Sequence, residues 1–300
     1  MKNHIKTIVL LGSLSALVLG LGALVAPSYL YLFAALALAM NLGAYFFSDR
    51  IVLRMHGAKE VTPAEAPDLH AMVEALAQRA QIPRPRIYVI PEEQPNAFAT
   101  GRNPDRGVVA VTEGILRLLD RRELRGVLAH ELAHIKNRDI LVSSIAAAAA
   151  SMITYVAQAL SFGNLFGSAN QDEESESGSG AGGLLAIVVA PIAATLIQLG
   201  ISRAREYLAD ETGAQISGDP EALARALVKL ERASEIVPSL AAPATASLFI
   251  VNPFGPVQAL SRWFSTHPQT AERVERLLEM ARSDRRSPIG RPQPTLLREW

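Results

Sequence analysis

Two histidines stand four residues apart in the stretch His130-Glu131-Leu132-Ala133-His134. On a helix both imidazoles would lie on one face, one turn apart, where they could reach a single metal ion. Glu131 would lie about 100° around the helix from His130, close to a water on that ion without binding the ion itself. Two nitrogen ligands with a carboxylate base are typical of zinc peptidases.

The residues before this stretch predict the helix that it needs. Asp120, with Glu123 three residues later, is the pattern of a capping box and therefore of a helix start. Apolar residues then recur at helical spacing: Leu124, Val127, Leu128, Leu132 and Ile135. A chance match to the histidine motif occurs in roughly one chain in a hundred of this length. The capped, amphipathic context favours the metal site over such a coincidence.

A zinc site with two histidines needs a third protein ligand and one position left open for water. Glu206 and Asp210 are again one helical turn apart, in the stretch 202–213. Glu206 as ligand, with Asp210 orienting one of the imidazoles, would meet the needs of such a site. Spacing alone does not choose them, because they lie far from His134 in sequence. Taken by itself, the stretch is better explained as an ordinary charged helix face.

The composition indicates membrane segments: 49% of residues are hydrophobic and 19% are charged. Four apolar runs are long enough to cross a bilayer core, at residues 7–26, 29–47, 140–162 and 184–201. For the last two, a buried hairpin inside a globular domain is the alternative. Lys and Arg flank the runs on one side only, which predicts that both termini and the histidine helix face the cytoplasm.

Charge and cysteine content exclude several classes of protein. The formal net charge is zero, so no long-range attraction to nucleic acid is expected. The chain has no cysteine, which excludes disulfides, thiolate ligands and a cysteine nucleophile.

The apolar runs divide the chain into successive parts. We predict a two-helix N-terminal membrane anchor (1–48), a first part of the metallopeptidase domain (49–139), a membrane hairpin (140–201) with a flexible polar loop (163–183), a second part of that domain (202–282) and a disordered tail (283–300). The hairpin would leave the cytoplasmic face just after His134 and return just before Glu206. It would thereby bring the two together.

A small sheet is predicted between the second and third runs. Strands are expected at 86–90, 96–102 and 107–112, after an amphipathic helix that opens at Thr62 and ends near Ala80. The edge of such a sheet could bind a peptide substrate by backbone pairing.

Two regions near the end of the chain have open interpretations. His267 begins a predicted helix to about Arg282, where the helix dipole favours a neutral imidazole that could hydrogen-bond an oxyanion. A capping or surface histidine is an equal alternative. Residues 238–257, rich in Pro and Ala, could line a substrate groove or only cover the core.

Taken together, the motifs resemble the HtpX-type membrane zinc endopeptidases, relatives of the CAAX prenyl proteases and of mitochondrial stress proteases. The resemblance covers roughly residues 1–282 and rests on four pieces: Asn96–Gly101, Val127–Asp139, Ser202–Asp210 and Ser265–Pro268. It implies that Glu206 is the third ligand of one Zn²⁺ ion and that His267 acts in the transition state. It also implies that Asn96, Ala97 and Phe98 form the substrate edge.

The sequence therefore predicts a mostly α, α+β fold: a zincin-like metallopeptidase domain with a small β-sheet, plus four transmembrane helices. The expected protein is a zinc endopeptidase in the cell inner membrane, with a cytoplasmic catalytic domain acting on misfolded or membrane polypeptides.

Two alternatives stay open. An intramembrane-cleaving protease would place its metal helix inside an apolar run, whereas Arg121, Arg122 and Arg125 precede this motif. A transporter or non-catalytic metal-binding membrane protein would be favoured by a fourth protein ligand.

Overall fold

The computed structural model describes residues 2–25, 27–167, 203–237, 245, 248–251 and 268–286. The α-helices in these residues are α1 (Lys2–Val25), α2 (Leu30–Met55), α3 (Pro67–Ala80), α4 (Glu113–Leu118), α5 (Arg121–Lys136), α6 (Ile140–Gly167), α7 (Arg203–Ser217), α8 (Pro220–Ile236) and α9 (Thr270–Arg286). The strands are β1 (Lys59–Glu60), β2 (Arg86–Ile90), β3 (Ala97–Thr100) and β4 (Val108–Thr112). The fold is α+β and mostly helical, as predicted.

The four strands form one mixed sheet in the order β1-β2-β4-β3. β2 runs parallel to β4, and β3 runs antiparallel to it. All three predicted strands are present, with β3 and β4 shorter than expected because a 3₁₀ turn, Pro104–Arg106, lies between them. β3 is an edge strand, so one of its two sides has no neighbouring strand in the sheet.

Helix α3 begins later than the sequence predicted. The Glu65 carboxylate accepts hydrogen bonds from the Thr62 backbone N–H at 2.7 Å and from its hydroxyl at 2.8 Å. This pair closes a turn that precedes the helix. The first helical residue is Pro67, whose fixed φ suits that position.

Helix α5 lies at the centre of the fold and contacts α3, α7, α8 and β3. Its predicted capping box is present: Asp120 accepts from the Glu123 N–H at 2.9 Å, and Glu123 accepts from the Asp120 N–H at 3.0 Å. The predicted apolar face is buried in the core, with Val127, Leu128 and Leu132 fully buried. The helix is therefore held from several sides.

Gly213 lets α7 approach α5 closely. A Cβ atom at this position would lie 2.8 Å from the Cα of His130, a distance that real side chains essentially never show. The missing side chain thus permits the contact that brings the first turn of α7 beside the histidine motif.

Helices α1, α2 and α6 pack together through a separate apolar cluster that includes Leu14, Ala44 and Ala146. Within the described ranges, one helix is long and apolar enough to cross a membrane, namely the 29 residues Pro27–Met55. The prediction of four membrane helices is therefore not confirmed. Of that prediction, the run 184–201 lies outside the described residues.

Three predicted boundaries differ from the helices that are described. The disordered tail was expected at 283–300, whereas α9 extends to Arg286, and residues 287–300 lie outside the described residues. α2 passes residue 48 without a break, and α6 extends to Gly167, into the expected polar loop. Most of that loop, residues 168–183, lies outside the described residues.

Candidate metal centre

The three predicted ligands converge on one point. The Nε2 atoms of His130 and His134 lie 3.1 Å apart. One carboxylate oxygen of Glu206 lies 3.7 Å from the Nε2 of His130, and the other lies 3.8 Å from that of His134. Ligand atoms around a tetrahedral zinc ion are separated by roughly 3.3 Å. The residues present therefore fit a metal ion of this kind.

Each imidazole has a carboxylate beside its Nδ1 atom, on the side away from the metal position. The Nδ1 of His130 lies 2.9 Å from Asp210, and the Nδ1 of His134 lies 3.2 Å from both oxygens of Asp139. A hydrogen bond donated by Nδ1 leaves Nε2 with its lone pair directed at the metal position. Asp210 thus occupies the position predicted for it.

Sequence reasoning did not assign a role to Asp139. The chain turns back after α5 through Arg138, which adopts a left-handed φ of 58°. This turn places the Asp139 carboxylate behind His134. A non-glycine residue in that conformation gives no signal in the sequence, whereas the acid next to the motif could have been noted.

Arg273 on α9 was also missed. Its guanidinium donates to Asp210 at 2.8 and 2.7 Å and to the Ile250 carbonyl at 2.7 Å, and its side chain is 1% exposed. Burial works to raise the pKa of Asp210, but the charge of Arg273 prevails and lowers it. Asp210 is therefore held as an anion behind His130. The amphipathic pattern of α9 alone does not show which of its arginines points inward.

Glu131 lies beside the ligands and is 3% exposed. Burial raises the pKa of its carboxyl to about 8, and the backbone N–H of Ala99 donates a hydrogen bond to it. Ala99 belongs to the edge strand β3. Glu131 therefore lies between the strand edge and the metal position.

The electrostatics of the centre favour a cation. Burial alone would lower the pKa of His134, but the nearby carboxylates of Asp139, Glu206 and Glu131 raise it to about 10. The effect of these carboxylates on the pKa exceeds that of burial, and a bound metal ion would neutralise their negative charge.

The cavity over the metal position has a volume of about 30 Å³. Leu248, Phe249 and Ile250 form one wall of it, opposite Ala99 and the ligands. Within the segment 238–257, whose role was left open, three of the four residues Leu248–Val251 line this cavity, and all four are buried in the core.

Asn96 supports that wall. Its side-chain oxygen accepts a hydrogen bond from the Ile250 N–H at 3.2 Å, and its own N–H donates to Thr112 at 2.8 Å. Ala97 and Phe98 are also buried, and the Phe98 ring lies 5.6 Å from that of His56. Among the residues of the edge strand β3, Ala99 lines the cavity over the metal position. His267 lies outside the described residues.

Comparison with known proteins agrees with this geometry. Residues 63–281 match the model of peptidase family M48. The chain belongs to peptidase family M48. This M48 chain is 52% identical to a "Protease HtpX homolog" of Syntrophobacter fumaroxidans over 93% of its length and 100% of that protein's. A "Protease HtpX homolog" of Aquifex aeolicus is 55% identical over 81% of each chain. A "Protease HtpX homolog" of Pyrococcus abyssi is 52% identical over 92% of this chain and 96% of its own.

The resemblance to HtpX-type proteases is thus confirmed, and the M48 chain is a metalloprotease. Among solved structures, the crystal structure of S. mikatae Ste24p aligns with 86% of this chain and 64% of its own, at 20% identity and a TM-score of 0.46. A likeness of that size adds nothing to the assignment.

Proposed function

We propose that this metalloprotease is a zinc-dependent endopeptidase that hydrolyses misfolded or membrane polypeptides at the cytoplasmic surface of the cell inner membrane. The observation that carries the proposal is the convergence of His130, His134 and Glu206, with the Glu131 carboxylate beside them. Two imidazole nitrogens and one carboxylate oxygen are a donor set that zinc prefers.

Zinc bound by these residues would supply an acidified water and a positive charge for the carbonyl oxygen of the substrate. Glu131 takes a proton from the attacking water and delivers it to the departing amine. The Ala99 N–H fixes the orientation of this carboxylate. Asp210 and Asp139 keep both imidazoles in the tautomer that binds the metal. By the family resemblance, His267, which lies outside the described residues, would donate a hydrogen bond to the developing oxyanion.

The edge of β3 suits an extended substrate. The Thr112 N–H donates to the Asn96 carbonyl, so Asn96 faces β4, whereas the Ala99 N–H faces away from β4 and reaches Glu131. Backbone groups at alternate positions of a strand point to the same side. A polypeptide paired along the unpaired side of Ala97–Ala99 would pass beside Glu131 and the metal position without a demand for sequence. These three residues are at most 7% exposed, so such pairing requires the segment that covers them to move.

The membrane location rests on α2. Its apolar side chains are mostly exposed: 11% of its most apolar window is buried inside the protein. A soluble core helix would be buried on at least one broad face. We therefore place α2 across the bilayer, with Arg50 and Arg54 at its cytoplasmic end.

A purely structural metal site is the second candidate. Structural zinc sites have four protein ligands, whereas in the described part of the chain three residues lie within ligand distance of one another. The open fourth position favours catalysis.

Exchange of Glu131 tests the proposal. Glu131→Gln should reduce cleavage of casein by the zinc-loaded full chain at least 100-fold, the effect of losing a general base. Zinc content, measured by mass spectrometry of the metal, should be unchanged. Glu235→Gln, on the surface of α8, is the matched control and should cleave like the wild type. Undiminished cleavage by Glu131→Gln would rule out the mechanism.

A further inference from the structure

We propose that the groove between the carboxyl-terminal end of α2 and strand β2 binds the headgroup of an anionic phospholipid. The groove has a volume of about 770 Å³. Its walls are formed by α2 on one side and the sheet on the other, mainly through Phe47, Arg50, Ile51, Arg54, Arg86 and Tyr88. The proposal depends on α2 crossing the membrane, as proposed above, and concerns a surface separate from the metal centre.

The groove lies where α2 changes from apolar to basic. Leu38 and Leu42 are 61% and 48% exposed, and Phe47 is 49% exposed one turn further along. Arg50 follows within the next turn. Exposed leucines followed by aromatic rings and then arginines mark the boundary between the hydrocarbon and the headgroups of a bilayer. The groove is therefore at the level of lipid phosphates.

Two arginines in the groove, Arg50 and Arg54, carry positive charges that no described carboxylate balances. Arg50 and Arg54 are both exposed, one helical turn apart on the same face. Among the described residues neither of them forms an ion pair. Arg86, in contrast, lies 3.8 Å from Asp49 and 3.7 Å from Glu60, which balance its charge. The groove thus has an excess of positive charge that a phosphate group could neutralise.

The apolar residues in the same groove favour a lipid over other anions. Phe47 and Ile51 lie on the arginine face of α2, and the Arg50 guanidinium stacks over the Phe47 ring at 5.7 Å. Free phosphate has no apolar part to contact these side chains. A zwitterionic lipid would bring an ammonium group, whereas Asp49 and Glu60 are already engaged by Arg86. An anionic headgroup with its glycerol and acyl chains matches both features.

Native mass spectrometry of the full chain in detergent tests the site, with phosphatidylglycerol and phosphatidylcholine as probes. The wild type should prefer phosphatidylglycerol, by roughly fivefold for each of the two arginines and about 30-fold in all. Arg50→Gln/Arg54→Gln should lose this preference. Arg232→Gln/Arg282→Gln removes the same charge from exposed positions on α8 and α9 and should keep it. Arg50→Lys/Arg54→Lys should keep a several-fold preference, because the charge is retained.

Three results would overturn the lipid site: equal binding of both lipids by the wild type, a preference that survives Arg50→Gln/Arg54→Gln, or displacement of phosphatidylglycerol by an equal concentration of inorganic phosphate. Glu131→Gln, which tests the proposed peptidase mechanism, should bind lipid like the wild type. A failure of the lipid site is therefore distinguishable from a failure of the proposed function.

Discussion

Arg273 and Asp210 form a buried two-bond ion pair directly behind His130, one of the three proposed metal ligands. The guanidinium donates to both carboxylate oxygens, and Asp210 in turn lies 2.9 Å from the Nδ1 of His130. Arg273, on α9, thus acts through Asp210 on the orientation of the His130 imidazole on α5.

Arg273→Lys should weaken zinc binding. A lysine keeps the charge but cannot hold both oxygens of Asp210, so the carboxylate would be free to rotate away from His130. Loss of such an outer contact costs roughly 10–100-fold in metal affinity. Competition with a zinc chelator measures the effect. Arg282→Lys, at an exposed position of the same helix, is the matched control, and equal zinc affinity of the two variants would contradict the prediction.

Asp139→Asn should weaken zinc binding by about tenfold or more, because His134 loses the anion that fixes its tautomer. The expected signature is faster loss of zinc to a chelator and a higher zinc requirement for casein cleavage. Asp105→Asn, in the exposed turn between β3 and β4, should leave both unchanged. If added zinc does not restore any cleavage by Asp139→Asn, the residue does more than orient the histidine.

Gly213→Ala should displace α7 from α5. The new methyl group would lie 2.8 Å from the His130 Cα, and overpacking of this kind costs about 1–3 kcal/mol. We expect a lower unfolding midpoint and weaker zinc binding, since Glu206 reaches the site on α7. Gly12→Ala on α1 meets no atom within 4 Å and serves as the control. A Gly213→Ala protein as stable as the wild type would show that α5 and α7 accommodate the added methyl group without strain.

His56 should make the fold sensitive to acid. Burial lowers the pKa of this imidazole from 6.5 to about 4. Its stabilising effect is complete above pH 6.5, where the ring is neutral in both states. As the pH falls towards 4, the unfolded chain takes up a proton that the folded chain refuses, and stability is lost.

The size of this effect is about 2 kcal/mol between pH 7 and pH 5. Denaturant unfolding of the wild type and of His56→Gln at both pH values measures it, because contributions from all other groups cancel in the comparison. The stability difference between the two proteins should shrink by that amount on acidification. A difference that does not change with pH would show that His56 is not held neutral by the fold.

Local patterns predicted much of the site. The capping box at Asp120 and the spacing of apolar residues located α5, and with it His130, Glu131 and His134, because these signals depend on neighbours along one helix. Glu206 could be named only through the family resemblance, since its approach to the histidines depends on the crossing of α7 and α5 at Gly213.

Contacts between distant segments could not be predicted in this way. Arg273 lies in a helix with several arginines, and the sequence does not show that this one is buried against Asp210. The short strand β1 has two exposed charged residues and no apolar alternation to reveal it. Asp139 depends on a left-handed turn at Arg138, which favours glycine or asparagine and is not signalled by arginine.

The third bond of Arg273 has a consequence for the entry of substrates. Its Nη1 donates to the Ile250 carbonyl, in the wall of the cavity over the metal position. Leu248–Val251 and the edge strand Ala97–Ala99 are both buried, so we expect this wall to move when a substrate pairs with β3 as proposed. Such a movement would displace the guanidinium that contacts Asp210 behind His130, and would thereby couple substrate entry to the proposed metal site.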